Sequence, residues 1–244
     1  MKKRMNGWRW LLLVAILEAS QAKAIGISSM LEYTDDRGQA TFMVSNGENY
    51  RQYINTTVSE LTVVNGEIKK MPYTRDNIDK WVLDVRPART ILEPNFKKKI
   101  VVQYQAKGIE RSDRDRVFQL SIVPTPYFAE GEQEHKVKIA FGFAPLLIVP
   151  AKETQPLAYD VRYQGDKVVV TNKGNGFFSL ALNGCAKGTP VTARDACTMS
   201  ATVLAGRTLS VKLPKGMISA TTLQAKLFSY GNKFSAEETL TKHQ

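Results

Sequence analysis

In HKVKIAFGFAPLLIVP, residues 135–150, large apolar residues alternate with charged or small ones from Lys136 to Phe143. The odd positions Val137, Ile139, Phe141 and Phe143 are large and apolar, while the even positions Lys136, Lys138, Ala140 and Gly142 are charged or small. A strand projects alternate side chains to opposite faces, so this period of two means β-structure with one apolar face. Two uses of that face stay open. It packs on the core of the chain's own sandwich, or it is lent to another protein whose pockets receive alternate side chains. Pro145 and Pro150 then bracket a short apolar run within APLLIVPAK, residues 144–152, which reads as a stiff, partly buried connector between domains.

The same strand signal extends to both sides. Strand-like runs cover Ala40–Ser45, Trp81–Arg86, Lys99–Gln105, Val117–Val123, Lys136–Phe143, Val168–Asn172, Phe177–Leu182, Thr208–Leu213 and Leu223–Tyr230, all rich in Val, Ile, Phe, Tyr and Thr. Turn chemistry punctuates them at Asn46-Gly47, Asn65-Gly66, Gly165-Asp166, Asn183-Gly184 and Lys215-Gly216. No window of a dozen residues keeps a helical period, and no internal repeat or low-complexity tract is present. The fold class is therefore all-β, with two immunoglobulin-like sandwiches of roughly 100 residues each. The expected divisions are 1–24, 25–146 and 147–244. The polar end, Gly231–Gln244, reads as frayed or weakly held.

Residues 1–24 read as a removable export signal. Lys2, Lys3, Arg4 and Arg9 give a positive opening, Leu11–Leu17 a short apolar run, and Ala22-Lys23-Ala24 a small-x-small cleavage pattern. A spanning helix needs about 20 apolar residues, so no membrane insertion is expected. Loss of the segment removes five cations, Lys23 included, and one acid, Glu18, lowering the formal charge from +11 to +7. The remaining basic residues are spread along the chain rather than gathered for nucleic acid. Only Lys97-Lys98-Lys99 forms a run, read as a solvated strand end that guards against edge pairing. Cys185 and Cys197 are the only cysteines, and an oxidising compartment would join them.

Catalytic chemistry is hard to find. His135 and His243 are the only histidines; one lies among charged residues at a strand start, the other in the tail. Asp113, Asp115, Glu132 and Glu134 fall in polar loops without a burial signal. No phosphate loop, dinucleotide fingerprint or metal-ligand spacing appears. The expectation is a non-enzyme with no cofactor and no metal.

Several motifs in one order carry a resemblance: Arg89-Thr90-Ile91-Leu92-Glu93-Pro94, Arg116-Val117-Phe118, the segment Val137–Pro150, then Val168–Asn172 with Gly174-Asn175, and the paired cysteines. Along nearly the whole chain from Ile25 to about Leu213 the sequence resembles the periplasmic chaperones of the chaperone–usher pathway, in the alternate branch serving alpha-class fimbriae. The resemblance implies a periplasmic protein that caps fimbrial subunits and passes them to an outer-membrane usher. Val137, Ile139, Phe141 and Phe143 would form the donor strand that fills an open subunit groove. Basic residues between the domains would hold the subunit's C-terminal carboxylate, since charge-assisted bonds suit Arg and Lys there.

This chain departs from the PapD branch in having no Arg or Lys over Ile25–Thr34. Arg116 is the first candidate anchor, followed by Lys138 and Arg89. An antiparallel hairpin of Arg116–Pro124 with His135–Phe143 would set Arg116 opposite Phe143; otherwise Arg116 makes a surface pair with Asp113 or Asp115. Self-association of the free chain to cover its edge stays open. The rival class is a secreted two-domain β-sandwich binding module, or a fimbrial adhesin or subunit. An adhesin should show an aromatic ligand platform, yet only Trp81 remains after Trp8 and Trp10 leave with the signal.

Overall fold

The computed structural model describes residues 24–105, 112–127 and 141–242. In the first sandwich, one sheet runs in the order β1 (Ile25–Ile27), β3 (Gln39–Asn46), β8 (Lys97–Tyr104) and β6 (Leu83–Arg86). The facing sheet runs β2 (Leu31–Tyr33), β10 (Leu146–Val149), β9 (Arg116–Pro126), β4 (Gln52–Val64) and β5 (Glu67–Pro72), with β7 (Arg89–Leu92) also on β4. The first strand segment thus switches sheets between Ile27 and Leu31, and β2 lies parallel to β10. Phe42, Val44, Ile54, Ile100, Val102, Phe118, Leu120, Ile122 and Leu147 fill the space between the sheets. Each fully buried large side chain contributes about 1.5–3 kcal/mol.

The second sandwich pairs a sheet of β11 (Tyr159–Gln164), β12 (Lys167–Asn172) and β15 (Thr208–Lys212) with one of β14 (Thr198–Val203), β13 (Phe178–Asn183), β16 (Thr222–Ser229) and β17 (Ser235–Thr241). Val168, Val170, Phe178, Leu180, Leu182, Leu223 and Leu227 form its core. Buried Tyr163 keeps its hydroxyl satisfied by donating to the Ala220 carbonyl at 2.8 Å. The Cys185–Cys197 disulfide is formed, closing the loop between β13 and β14. Two buried asparagines make matching brackets: Asn46 Nδ2 donates to the Tyr50 and Leu92 carbonyls, and Asn172 Nδ2 to those of Gly176 and Val203.

Several expectations are corrected. Leu146–Val149, read as connector, is a strand of the first sandwich: Leu147, Ile148 and Val149 are buried, and the strand pairs on both sides. The run free of strand lies instead between Val149 and Tyr159. The polar end is not frayed through its length, because β17 pairs with β16 from Thr222↔Thr241 to Phe228↔Ser235. A polar sequence can hold an edge strand by backbone bonds, aided here by Lys226–Glu237 at 2.7 Å and Tyr159–Glu238 at 2.7 Å. The Lys215-Gly216 turn is the start of a short helix, Lys215–Ile218. Lys97–Lys99 does lie at an exposed strand start, where β6 does not reach because its pairing begins at Val101. Among the described residues, no helix is long and apolar enough to cross a membrane.

Candidate functional site: the last strand of the first sandwich and the crevice beside it

The segment from Phe141 to Val149 carries two different environments. At its far end β10 pairs with β9 through Leu146↔Gln119 to Val149↔Arg116. Further back, Phe143 and Ile122 exchange both backbone bonds at 2.9 Å. Odd residues face the core along this run: Phe143, Leu147 and Val149 all pack on the first hydrophobic cluster. Even residues Leu146 and Ile148 face outward, into a second apolar cluster shared with the second sandwich. Phe141 continues the odd row beyond the mouth of the sandwich and is 73% exposed. The two uses foreseen for the apolar face therefore divide along the chain, with Phe143 on the core and Phe141 offered outward. Val137, Lys138 and Ile139 lie outside the described residues.

The observed register also corrects the expected one. Arg116 stands opposite Val149, not Phe143, because the strand runs six residues further before it ends. Its partner is neither Asp113 nor Asp115. Arg116 Nη2 and Nε donate to Glu60 Oε1 at 2.6 and 3.0 Å, and Nη1 donates to the Tyr104 hydroxyl at 3.3 Å. The guanidinium also lies 5.7 and 5.6 Å from the Tyr104 and Phe118 ring centroids. Side-chain exposure is 23% for Arg116 and 10% for Glu60, so this is a partly desolvated pair closing one end of the sandwich. Burial acts to lower the Arg116 pKa, but the bonds to Glu60 and Tyr104 outweigh it and the net shift is upward. The arginine stays charged. The sequence reading missed Glu60, which is the lone acid in the inward-facing set Ile54, Thr56, Val58 and Glu60 of β4.

Arg116 lines a crevice of about 170 Å³ between the sandwiches, with Thr62, Arg114 and Asp115 on one wall and Leu204 and Ala205 on the other. Asp115 is half-buried there, against the expectation of an ordinary loop carboxylate. Its Oδ1 accepts from Ala151 N and its Oδ2 from Phe177 N, both at 2.8 Å, tying β9 to the connector and the second sandwich. Burial pushes its pKa up, while the two N–H donors pull the other way without reversing the shift. Asn175, from the Gly174-Asn175 motif, donates to the Asp113 and Glu153 carbonyls at 2.8 Å each. Beside this polar clasp, Leu61, Val117 and Ile148 meet Phe177 and Leu204, and Tyr33 stacks on Phe177 at 5.3 Å.

Arg89 is not brought to this crevice. It pairs across from Asn55, whereas Val117, next to Arg116, pairs with Leu61 on the same strand. At about 3.3 Å per residue, the two arginines sit roughly 20 Å apart along β4. Arg89 instead borders a cavity of about 350 Å³ with Asn55, Thr57, Asp84 and the stacked pair Tyr73–Trp81, whose rings are 5.0 Å apart.

Comparison with known proteins fits this geometry. Residues 27–150 match the family described as CS5 fimbrial protein N-terminal domain. The chain belongs to that family. None of the curated proteins matches the chain in sequence. Among solved structures, the class 5 fimbriae chaperone CfaA is similar with a TM-score of 0.55 at 11% identity, covering 89% of this chain and 99% of CfaA. A chain of the CsuC–CsuE chaperone–tip adhesion subunit pre-assembly complex of Acinetobacter baumannii gives 0.57 at 11% identity, covering 91% and 100%. A chain of the Salmonella enterica SafA pilin–SafB chaperone complex gives 0.57 at 15%, covering 91% and 98%. The shared feature at these identities is the fold, a two-sandwich architecture.

Proposed function

We propose that this protein is a periplasmic chaperone that caps fimbrial subunits and hands them to an outer-membrane usher. One observation carries the reading: the strand ending the first sandwich is held on both sides at Leu146–Val149, yet presents Phe141 to solvent at its other end. A bare strand edge with an apolar side chain is a liability unless a partner covers it. Donor residues Val137, Ile139 and Phe141 fill the subunit's pockets, while main-chain bonds supply affinity that tolerates varied subunit sequences. Phe143 sets the register by staying in the chaperone's own core. The two sandwiches divide between Val149 and Tyr159, and the crevice there receives the subunit's carboxylate. Glu60 takes Nε and Nη2 of Arg116 and the Tyr104 hydroxyl takes one N–H of Nη1, which leaves the second Nη1 N–H to meet that carboxylate. Lys138 extends the anchor from the donor strand, and Arg89, roughly 20 Å away, serves a separate contact.

Native mass spectrometry of the protein expressed to the periplasm with its neighbouring pilus genes tests this. A 1:1 complex with a small subunit is expected, lost with Ile139→Asp because a charge would enter an apolar groove. Arg116→Ala should weaken capture, read beside its thermal stability because it strands Glu60. A lone monomer with every candidate subunit present would move the assignment to a binding module. That second reading has one observation in its favour, the Tyr73–Trp81 stack lining the cavity beside Arg89.

A further inference from the structure

The seam between the sandwiches is touched at three places along one line. At one edge of the sheet, Tyr33 on β2 stacks on Phe177 at 5.3 Å and meets Tyr230, tilted against it, at 4.4 Å. In the middle, Asp115 before β9 holds Ala151 and Phe177. At the opposite edge, the Asn65-Gly66 tip of the β4–β5 hairpin reaches the second sandwich. There the Gly66 carbonyl accepts from Thr208 N at 3.0 Å and from Arg207 Nη1 at 2.9 Å. Arg207 Nη1 also pairs with Glu67 Oε2 at 2.5 Å, and its side chain is only 17% exposed.

Two features of β4 and its turn answer to this contact. β4 runs for 13 residues, more than twice the usual strand of about 5–6, and so carries the hairpin past the end of its own sandwich. At Gly66 the backbone has φ +76°, and a Cβ there would stand 3.0 Å from Thr208 Oγ1 and 3.2 Å from Thr208 Cβ. A side chain would meet both strain and a close neighbour. The glycine that makes the turn also permits the approach.

Domains joined by one modest interface move relative to one another by default. A contact at the middle of a seam leaves the second body free to rock about it. The line from β2 to β5 crosses four strand spacings, about 19 Å at 4.8 Å each, so contacts at both ends oppose rocking with a long lever. We infer that the β4–β5 hairpin is an outer latch locking the two sandwiches into one body, and that Gly66 and Arg207 are positioning residues for the crevice. The crevice walls adjoin the latch in sequence on both sides: Thr62 and Val63 precede the hairpin tip, and Leu204 and Ala205 precede Arg207. The latch stands on these contacts alone; only its use, holding the arginine-lined crevice at a fixed width for a subunit, rests on the chaperone reading.

Pulsed electron paramagnetic resonance on the full mature chain tests it, with spin labels at Thr41→Cys and Lys212→Cys and the native disulfide kept oxidised. Both label sites are exposed, one in each sandwich. The parent should give one narrow distance distribution. Arg207→Ala and Gly66→Ala should each broaden it at least twofold with unchanged circular dichroism, and Arg207→Lys, which keeps a cation for Glu67, should narrow it again. Should Gly66→Ala disturb the hairpin's folding, Arg207→Ala alone decides. Distributions as narrow as the parent's, with the same centre, would overturn the latch. Subunit capture by the parent is scored separately: broadening in the variants without any capture supports the latch and removes only its use.

Discussion

The two halves of the segment from Phe141 to Val149 share one alternation of side chains and differ in what surrounds them. Leu146–Val149 is flanked by β2 and β9 and has core on its odd face and the inter-sandwich seam on its even face. Among the described residues Phe141–Phe143 is backbone-paired to β9 alone, and its outermost ring is exposed. Sequence periodicity sets which residues share a face, but not whether that face is covered. Coverage comes from a neighbour far away in sequence, here the parallel strand Leu31–Tyr33, which stops where the exposed half begins. From Phe143 onward the segment is structure, and Phe141 is offered surface.

The largest test of that contrast is Leu147→Ala. Leu147 is fully buried, so its truncation should cost about 2–5 kcal/mol in urea denaturation. A loss below about 1 kcal/mol would mean that this half is not a core strand. Phe141→Asp should change stability by no more than about 0.5 kcal/mol, since the ring is mostly solvated. It should nevertheless reduce subunit capture in the same native mass spectrum that scores Ile139→Asp. A variant that unfolds easily would place Phe141 with the fold and dissolve the distinction.

Much of the fold was legible because its strands alternate cleanly: Gln39–Asn46, Arg116–Pro126, Lys167–Asn172, Phe178–Asn183 and Thr222–Ser229 all match periodic runs. The longest strand, Gln52–Val64, was not, because its inward set includes Gln52, Thr56 and Glu60 and so lacks an apolar period. The Leu146–Val149 strand was hidden by its prolines and by being apolar on both faces, the pattern of a strand buried on two sides. At the site, Arg116 was legible by type and place, but its tie to Glu60 was not. Pairing of residues 56 positions apart depends on which strands become neighbours, and no local spacing encodes that. Asp115 looked like a loop carboxylate for the same reason: its burial is supplied by the second sandwich.

The smallest test concerns the clasp at the buried end of the segment, where Ala151, two residues past β10, donates to Asp115. Two influences compete at that carboxylate. Burial disfavours its charge, and the N–H groups of Ala151 and Phe177 favour it. Burial is the larger, so the folded pKa lies above the ordinary value of 3.8. A folded pKa raised above the unfolded one means that the folded state binds the proton more tightly. The contribution of Asp115 is then fully present below about pH 3.8 and is lost as pH rises through the folded pKa. Asp115→Asn removes the titration while keeping a similar shape, so the difference between parent and variant isolates this group from every other acid. Measured by urea denaturation from roughly pH 3.5 to 7, the parent should lose stability relative to the variant as pH rises, then level off. The opposite slope would mean that the two backbone donors outweigh burial. A flat difference would mean that Asp115 is as well solvated folded as unfolded, and the buried half of the segment would end without the closed seam described for it.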